Sequence, residues 1–202
     1  MRTLSVCIWV CFVAAVCGAQ YRSTPKEMQV SNMHFVSAGF SHPIAELSAA
    51  LETMLANPDI CCGKKSSLVD VVAACESCSL RELGTKLAGR HVLPDGRPFL
   101  VSADYEPKST TGPADPVVPK ILLSIHAQHP LLLRLDSHLY VIYGVTYTEA
   151  VPADNQGAGL DTIEKLQLFE PATGKSMVFD RTKDDWSKVE GVLTLTTEPS
   201  PS

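Results

Sequence analysis

Pro130-Leu-Leu-Leu-Arg-Leu-Asp-Ser-His138-Leu-Tyr-Val-Ile-Tyr-Gly144 is the stretch on which the fold turns. Leu131 to Leu135 is short and apolar, and Asp136-Ser137 can turn the chain. His138 to Tyr147 is rich in β-branched and aromatic residues, which suit a pleated, half-buried surface. Downstream, Thr162 to Phe169 and Ser176 to Phe179 flank Glu170-Pro-Ala-Thr-Gly174, a hairpin pattern, and Val192 to Thr196 reads as a last strand before a Pro/Ser tail. Upstream of Pro130 the period is helical. Val117 to Gln128 reads as a helix that Pro130 ends, and Pro43 to Leu55 places Ile44, Leu47, Leu51, Met54 and Leu55 on one face behind a first-turn proline. Ser67 with Asp70 and Ser79 with Glu82 are capping signatures for two further helices. Pro94-Asp95-Gly96 is a turn, Pro98 to Ala103 a short strand, and Lys108 to Asp115 a loop. Residues 20 to 42 read as a loosely ordered lead-in with one extended piece, His34-Phe35-Val36. Helices first and antiparallel strands later is an α+β order in a single domain.

The whole chain fits that reading. It has 202 residues, 45% hydrophobic and 19% charged, too apolar for disorder and too short for two large domains. The formal net charge is −5 and basic residues form no runs, which argues against a partner held by its phosphates; no nucleic acid is expected.

The N-terminus carries an export pattern. Arg2 is followed by the apolar run Leu4 to Val16 and by the small residues Cys17-Gly18-Ala19, leaving Gln20 as the expected mature N-terminus. The run is short for a stop-transfer helix, and bulky Val16 stands where a lipoprotein signal expects a small residue. Residues 1–19 are therefore expected to be a signal peptide. The rest is expected to be secreted or periplasmic in the cell envelope, without stable membrane insertion after cleavage.

Export sets the cysteine arithmetic. Cys7, Cys11 and Cys17 leave with the signal, and Cys61, Cys62, Cys75 and Cys78 remain. An even number in an oxidising compartment favours disulfides. The vicinal pair is expected to reach across to Cys75 and Cys78, in either of two pairings. Zinc binding by the four, and a redox role for Cys75-Glu-Ser-Cys78, are the rival readings. Against the first, a vicinal pair is not the usual chelating spacing. Against the second, the pair follows an apolar helical stretch rather than a strand.

The second half resembles the papain-like cysteine peptidases, in particular the secreted bacterial branch related to double-glycine processing peptidases. Pro130 to Val145 resembles the strand pair in which the catalytic His opens a hydrophobic strand ending in Gly, here His138 and Gly144. Glu170-Pro171 and Gly174 resemble the Asp-Pro-x-x-Gly turn that carries the third member of the triad, and Asp184-Asp185-Trp186 before a terminal strand also fits. Glu46-Leu-Ser-Ala-Ala-Leu-Glu-Thr-Met-Leu55 resembles the Cys-Trp-Ala-Ala helix, and Cys61-Cys62-Gly63 a cysteine pair that often follows it. The likeness spans roughly residues 34 to 197 and is most specific at His138. It implies one papain-like domain over residues 20–202, with N-terminal helices packed on a C-terminal antiparallel sheet.

The chemistry departs from that family. A cysteine peptidase needs a thiolate at a helix N-terminus, a His to activate it and a third group to orient the His. The best register puts Glu46 in the place of the nucleophile and Phe40 in that of the oxyanion-hole Gln, with Glu170 as third member. A carboxylate can pair with His138 but is a poor attacking group for a peptide bond. Ser41 and Ser48 are the nearest hydroxyls. Cys61 and Cys62 precede the helix announced by Ser66-Ser67 by too many residues for its dipole to activate them, since that effect fades within one turn.

Other candidates read more plainly. His126-Ala-Gln-His129 has a spacing that can place two imidazoles together, but no Glu or Cys accompanies them, so a solvated helix end is expected. His34, His42 and His91 are lone residues. Tyr140 is expected to point with His138, and Tyr143 with Tyr147 to the other face. Gly157-Ala-Gly159 is no phosphate cradle. No metal and no cofactor is expected. The sequence thus supports a non-catalytic papain-like domain that binds a peptide or protein. Its rivals are an active cysteine peptidase or acyl transferase, and a disulfide-stapled envelope domain.

Overall fold

A computed structural model describes residues 21–40, 42–55, 68–93, 96–109, 115–152 and 160–199. The expected signal peptide, Ser41, Cys61, Cys62, Ser66-Ser67, Pro94-Asp95 and Gly157-Ala-Gly159 lie outside the described residues. In chain order the elements are β1 (Tyr21–Gln29), α1 (Pro43–Leu55), α2 (Leu68–Ala73), α3 (Leu80–Leu87), β2 (Gly89–Val92), β3 (Pro98–Pro107) and α4 (Val117–His126). They continue with β4 (Leu131–Leu135), β5 (His138–Pro152), β6 (Leu160–Glu170), β7 (Lys175–Asp180), a 3-10 turn at Trp186–Lys188, and β8 (Val189–Pro199).

Seven of the eight strands form an antiparallel sheet in the order β2-β3-β8-β4-β5-β6-β7. The α+β class therefore stands. β1 also joins this sheet, on β5. The 15-residue β5 has its edge opposite β6 shared by two strands, with β4 pairing along His138 to Ile142 and β1 along Gly144 to Pro152. The loose lead-in expected over residues 20–42 is thus corrected: Tyr21–Gln29 is a strand. Its side chains from Ser23 to Glu27 are exposed, so it lacks the apolar alternation by which a strand is read. The expected extended piece His34-Phe35-Val36 is not a strand. Thr53 Oγ1 on α1 holds it instead, accepting from the Val36 N–H at 2.9 Å.

The sheet is covered on both faces. On one face α1 and α3 bury Leu47, Leu51, Met54, Leu80, Leu83 and Leu87 against Leu132, Leu139, Val141, Leu193 and Leu195. On the other, α4 buries Val117, Ile121 and Ile125 against Leu131, Leu133, Tyr140, Ile142 and Val192. Successive residues of β4 and of β5 from Leu139 to Tyr143 alternate between these two cores, as strand geometry requires, until the register shift beside Tyr143 puts Val145 on the α4 side. Burial on both faces is why Leu131-Leu132-Leu133 is continuously apolar. The second cover is supplied by α4. Its stripe of Val117, Ile121 and Ile125 would otherwise have no cover.

Two local devices fix the pieces. Ser79 and Glu82 form a reciprocal capping box at the start of α3, as the sequence announces. Asp136 and Ser137 both have positive φ, 49° and 70°, the pattern of a two-residue type I′ turn between β4 and β5.

Candidate functional site

A cavity of about 290 Å³ lies at the end of the sheet where β5 begins. Four separate pieces of chain wall it: Pro43, Glu46 and Leu47 of α1, the loop Cys75 to Cys78 between α2 and α3, Leu83 of α3, and Arg134, Ser137, His138 and Leu139 of the β4–β5 hairpin. Two of the three residues that the sequence singles out, Glu46 and His138, thus border one space.

Glu46 owes its place to the helix. It lies four residues before Ala50, on the stripe that faces the sheet, and is 6% exposed. Its N–H donates to the His42 carbonyl at 2.9 Å in the opening turn of α1. His138 owes its place to the type I′ turn just before it. By strand parity it shares the face of Tyr140 and Ile142, on the α4 side, and its partner Leu135 packs there too. It is exposed at the strand end. Glu170 has the parity of Leu166 and Leu168, so it also belongs to the α4 face, and it is not one of the cavity residues. Its carboxylate accepts from Thr173 Oγ1 inside the Pro171–Gly174 turn. That turn packs against the segment leading to α1: the Ala38 N–H donates to the Pro171 carbonyl at 2.8 Å, and a Cβ on Gly174 (φ 73°) would stand 2.9 Å from Ser37. Glu46 therefore approaches from α1 on one face, whereas His138 and Glu170 sit on the other.

Tyr140 is where the charges of these groups meet. Burial raises the pKa of its phenol, and the charges of Glu170, Asp136 and Glu46 add to the rise. As expected, Tyr140 shares the parity of His138 and Tyr143 packs on the other, α1 face; the expectation that Tyr147 joins Tyr143 is corrected, because the register shift of β5 between Ile142 and Gly144 sends Tyr147 to the α4 face.

Arg134 is a site residue that the sequence reading passes over. The pairing of β4 with β8 shifts between Arg134 and Leu135, leaving Glu190 as the extra residue of β8. Arg134 Nε is buried with no hydrogen-bond partner and faces Glu190 Oε2 at 3.9 Å. The signal was present: Arg134 is the one charge inside Leu-Leu-Leu-Arg-Leu.

The cysteines differ from expectation as well. Cys75 and Cys78 are bonded to each other, with Cα atoms 4.8 Å apart, instead of each reaching to Cys61 or Cys62. The physical reason is local. The chain turns back on itself after α2, with the Cys75 N–H donating to the Val72 carbonyl at 3.0 Å and the Cys78 N–H to the Cys75 carbonyl at 3.3 Å. His126 closes α4 and His129 follows a left-handed Gln128, so these two imidazoles do not share a helical face. Among the described residues no helix is long and apolar enough to cross a membrane. Compared with known proteins, the chain matches no family model, no curated protein and no solved structure.

Proposed function

We propose that this is a secreted, papain-like-fold protein without peptidase activity, which holds a peptide or protein segment at the cavity between α1, α3 and the β4–β5 hairpin. One observation carries the reading: the cavity bordered by both Glu46 and His138 has a carboxylate where the resemblance puts a thiol. Two further features support it. The cysteines of the cavity wall are tied to each other, so neither is a thiolate. His138 and Glu170 lie on the sheet face opposite α1, which is not how a nucleophile, its base and an orienting group are arranged for acyl transfer. The wall is mixed: Leu47, Leu83 and Leu139 are apolar, while Arg134, Glu46 and Glu76 carry charge of both signs. Such a lining suits a peptide, whose backbone and side chains are mixed in the same way.

The test is a positional-scanning peptide library offered to the exported protein, read for binding and, by mass spectrometry, for cleavage. Binding that weakens about tenfold or more in Arg134→Ala and His138→Ala, with all peptides intact, is the expected result. Peptide cleavage that disappears in His138→Ala overturns the non-catalytic reading. Undiminished binding in both variants overturns the placement of the ligand.

A further inference from the structure

We infer that Cys75–Cys78 is a redox-active disulfide, which exchanges with a dithiol or disulfide reaching the cavity, and that Glu46 serves as the proton acceptor of the exchange. The disulfide is part of a built site. Cys75, Glu76, Ser77 and Cys78 together form one wall of the cavity of about 290 Å³, and with the two cysteines only 4% and 8% exposed this space is the route by which a thiol would reach the bond. Glu46, the buried carboxylate of the cavity, stands on the α1 wall.

The loop is also poorly suited to a purely structural role. A disulfide stabilises by restricting the unfolded chain, and the restriction grows with the length of the loop that it closes. Here the sequence separation is 3, about the least useful staple that four cysteines can make. Short C-x-x-C rings are instead the arrangement in which one thiol can displace the other.

The electrostatics around the loop favour a thiolate at Cys78. Its sulfur stands 4.0 Å from the Ala74 carbonyl oxygen. Lys86 Nζ donates to the Ala74 carbonyl at 3.1 Å, bringing an ammonium to the residue before Cys75. The guanidinium of Arg134, whose Nε has no hydrogen-bond partner and faces Glu190 at 3.9 Å, is also in the cavity wall. The better leaving group departs faster in exchange, so attack falls on Cys75 and Cys78 leaves.

The step balances as follows. A substrate thiol passes its proton to Glu46 and attacks the sulfur of Cys75 as a thiolate, the bond to Cys78 breaks, and a mixed disulfide forms. Glu46 hands that proton to the Cys78 thiolate, and the second substrate thiol then attacks the mixed disulfide, its own proton going to Cys75 as Cys75 is released. Two electrons pass from the substrate dithiol to the cysteine pair, and the substrate leaves as a disulfide. Run in reverse, the same step reduces a substrate disulfide.

The inference uses the same cavity but does not rest on peptide binding, and small thiols as probes keep the two apart. The experiment measures the rate at which dithiothreitol or reduced glutathione opens Cys75–Cys78 in the exported full chain, native and urea-unfolded. Alkylation and peptide mass spectrometry distinguish this pair from Cys61 and Cys62. The expected result is a native rate at least tenfold above the unfolded rate, with the fold retained by circular dichroism after reduction. In Glu46→Gln, which keeps size and hydrogen bonding, the native rate falls about tenfold while the unfolded rate is unchanged. A bond that reacts more slowly native than unfolded is a buried staple and overturns the proposal. An unchanged native rate in Glu46→Gln overturns the role of the carboxylate.

Discussion

Leu132 and Leu133 are neighbours in β4, and each is 0% exposed, yet they belong to different cores. Leu132 lies among Leu47, Met54 and Leu83 under α1 and α3, and Leu133 among Val117, Ile121 and Ile125 under α4. Leu→Ala at either position removes three carbons, about 2.4 kcal/mol at roughly 0.8 per methylene. The unfilled space adds to this, within an overall range of about 2–5 kcal/mol. About 3 kcal/mol each is the expectation. A domain with about 5–15 kcal/mol to lose stays folded in either single variant. The melting temperature should drop by about 6–12 °C, at roughly 2–4 °C per kcal/mol for a chain of this size. Urea titration followed by circular dichroism should move the midpoint with the slope unchanged. Leu123→Ala is the control: this α4 leucine is 69% exposed and should stay within about 0.5 kcal/mol of the parent. If Leu132→Ala or Leu133→Ala behaves like the control, that face of the sheet is open and the two-sided packing is wrong.

Two further outcomes follow from the site and its surroundings. A Cβ on Gly191 would stand 2.6 Å from the Glu106 carbonyl and 2.8 Å from the Tyr105 hydroxyl. That carbonyl belongs to the β3–β8 ladder, so Gly191→Ala should cost about 1–3 kcal/mol in urea denaturation, and a neutral effect would refute the register of the two strands. Tyr140 has its pKa raised in the fold, first by burial and then by Glu170, Asp136 and Glu46. The group therefore holds its proton more tightly folded than unfolded. Its contribution is complete below the usual phenol value near 10 and is lost as the pH rises through the folded value. Urea midpoints from about pH 8 to 11 should fall less steeply for Tyr140→Phe than for the parent, with Tyr105, raised by burial too, leaving a residual slope. Equal slopes would refute the coupling.

The features that the sequence revealed are those written in a few consecutive residues. The apolar stripe of α1, the capping box of α3, the Asp136-Ser137 turn and the Glu170–Gly174 hairpin each depend on contacts within one or two turns of chain. What escaped depends on partners far away. β1 carries Pro25 and a run of exposed side chains, and it is a strand because Gly144 to Pro152 of β5 lies free of β4 beside it. The second face of the sheet was written in Leu131-Leu132-Leu133, since a continuous apolar run is what a strand buried on both sides looks like.

The site shows the same division more sharply. Resemblance singled out Glu46 and His138, and both border one cavity, but strand parity separates His138 and Glu170 from the helix that carries Glu46. Parity is set by the turn: with two residues in it, Leu135 pairs with His138 and both face α4. One residue more or less in the hairpin would move every side chain of β5 to the other face. His138 would then turn toward α1, while Leu139 and Val141 would leave the core beneath it. The hydrophobic pattern of β5 thus holds His138 where it is. Leu139 and Val141 are 5% and 0% exposed under α1 and α3, and Ile142 is 0% exposed under α4, so no shift of register keeps all three buried in their present cores. What the cavity can do is accordingly decided by the residues that the register sends into it, Arg134 and Leu139, and by the Cys75–Cys78 loop across from them.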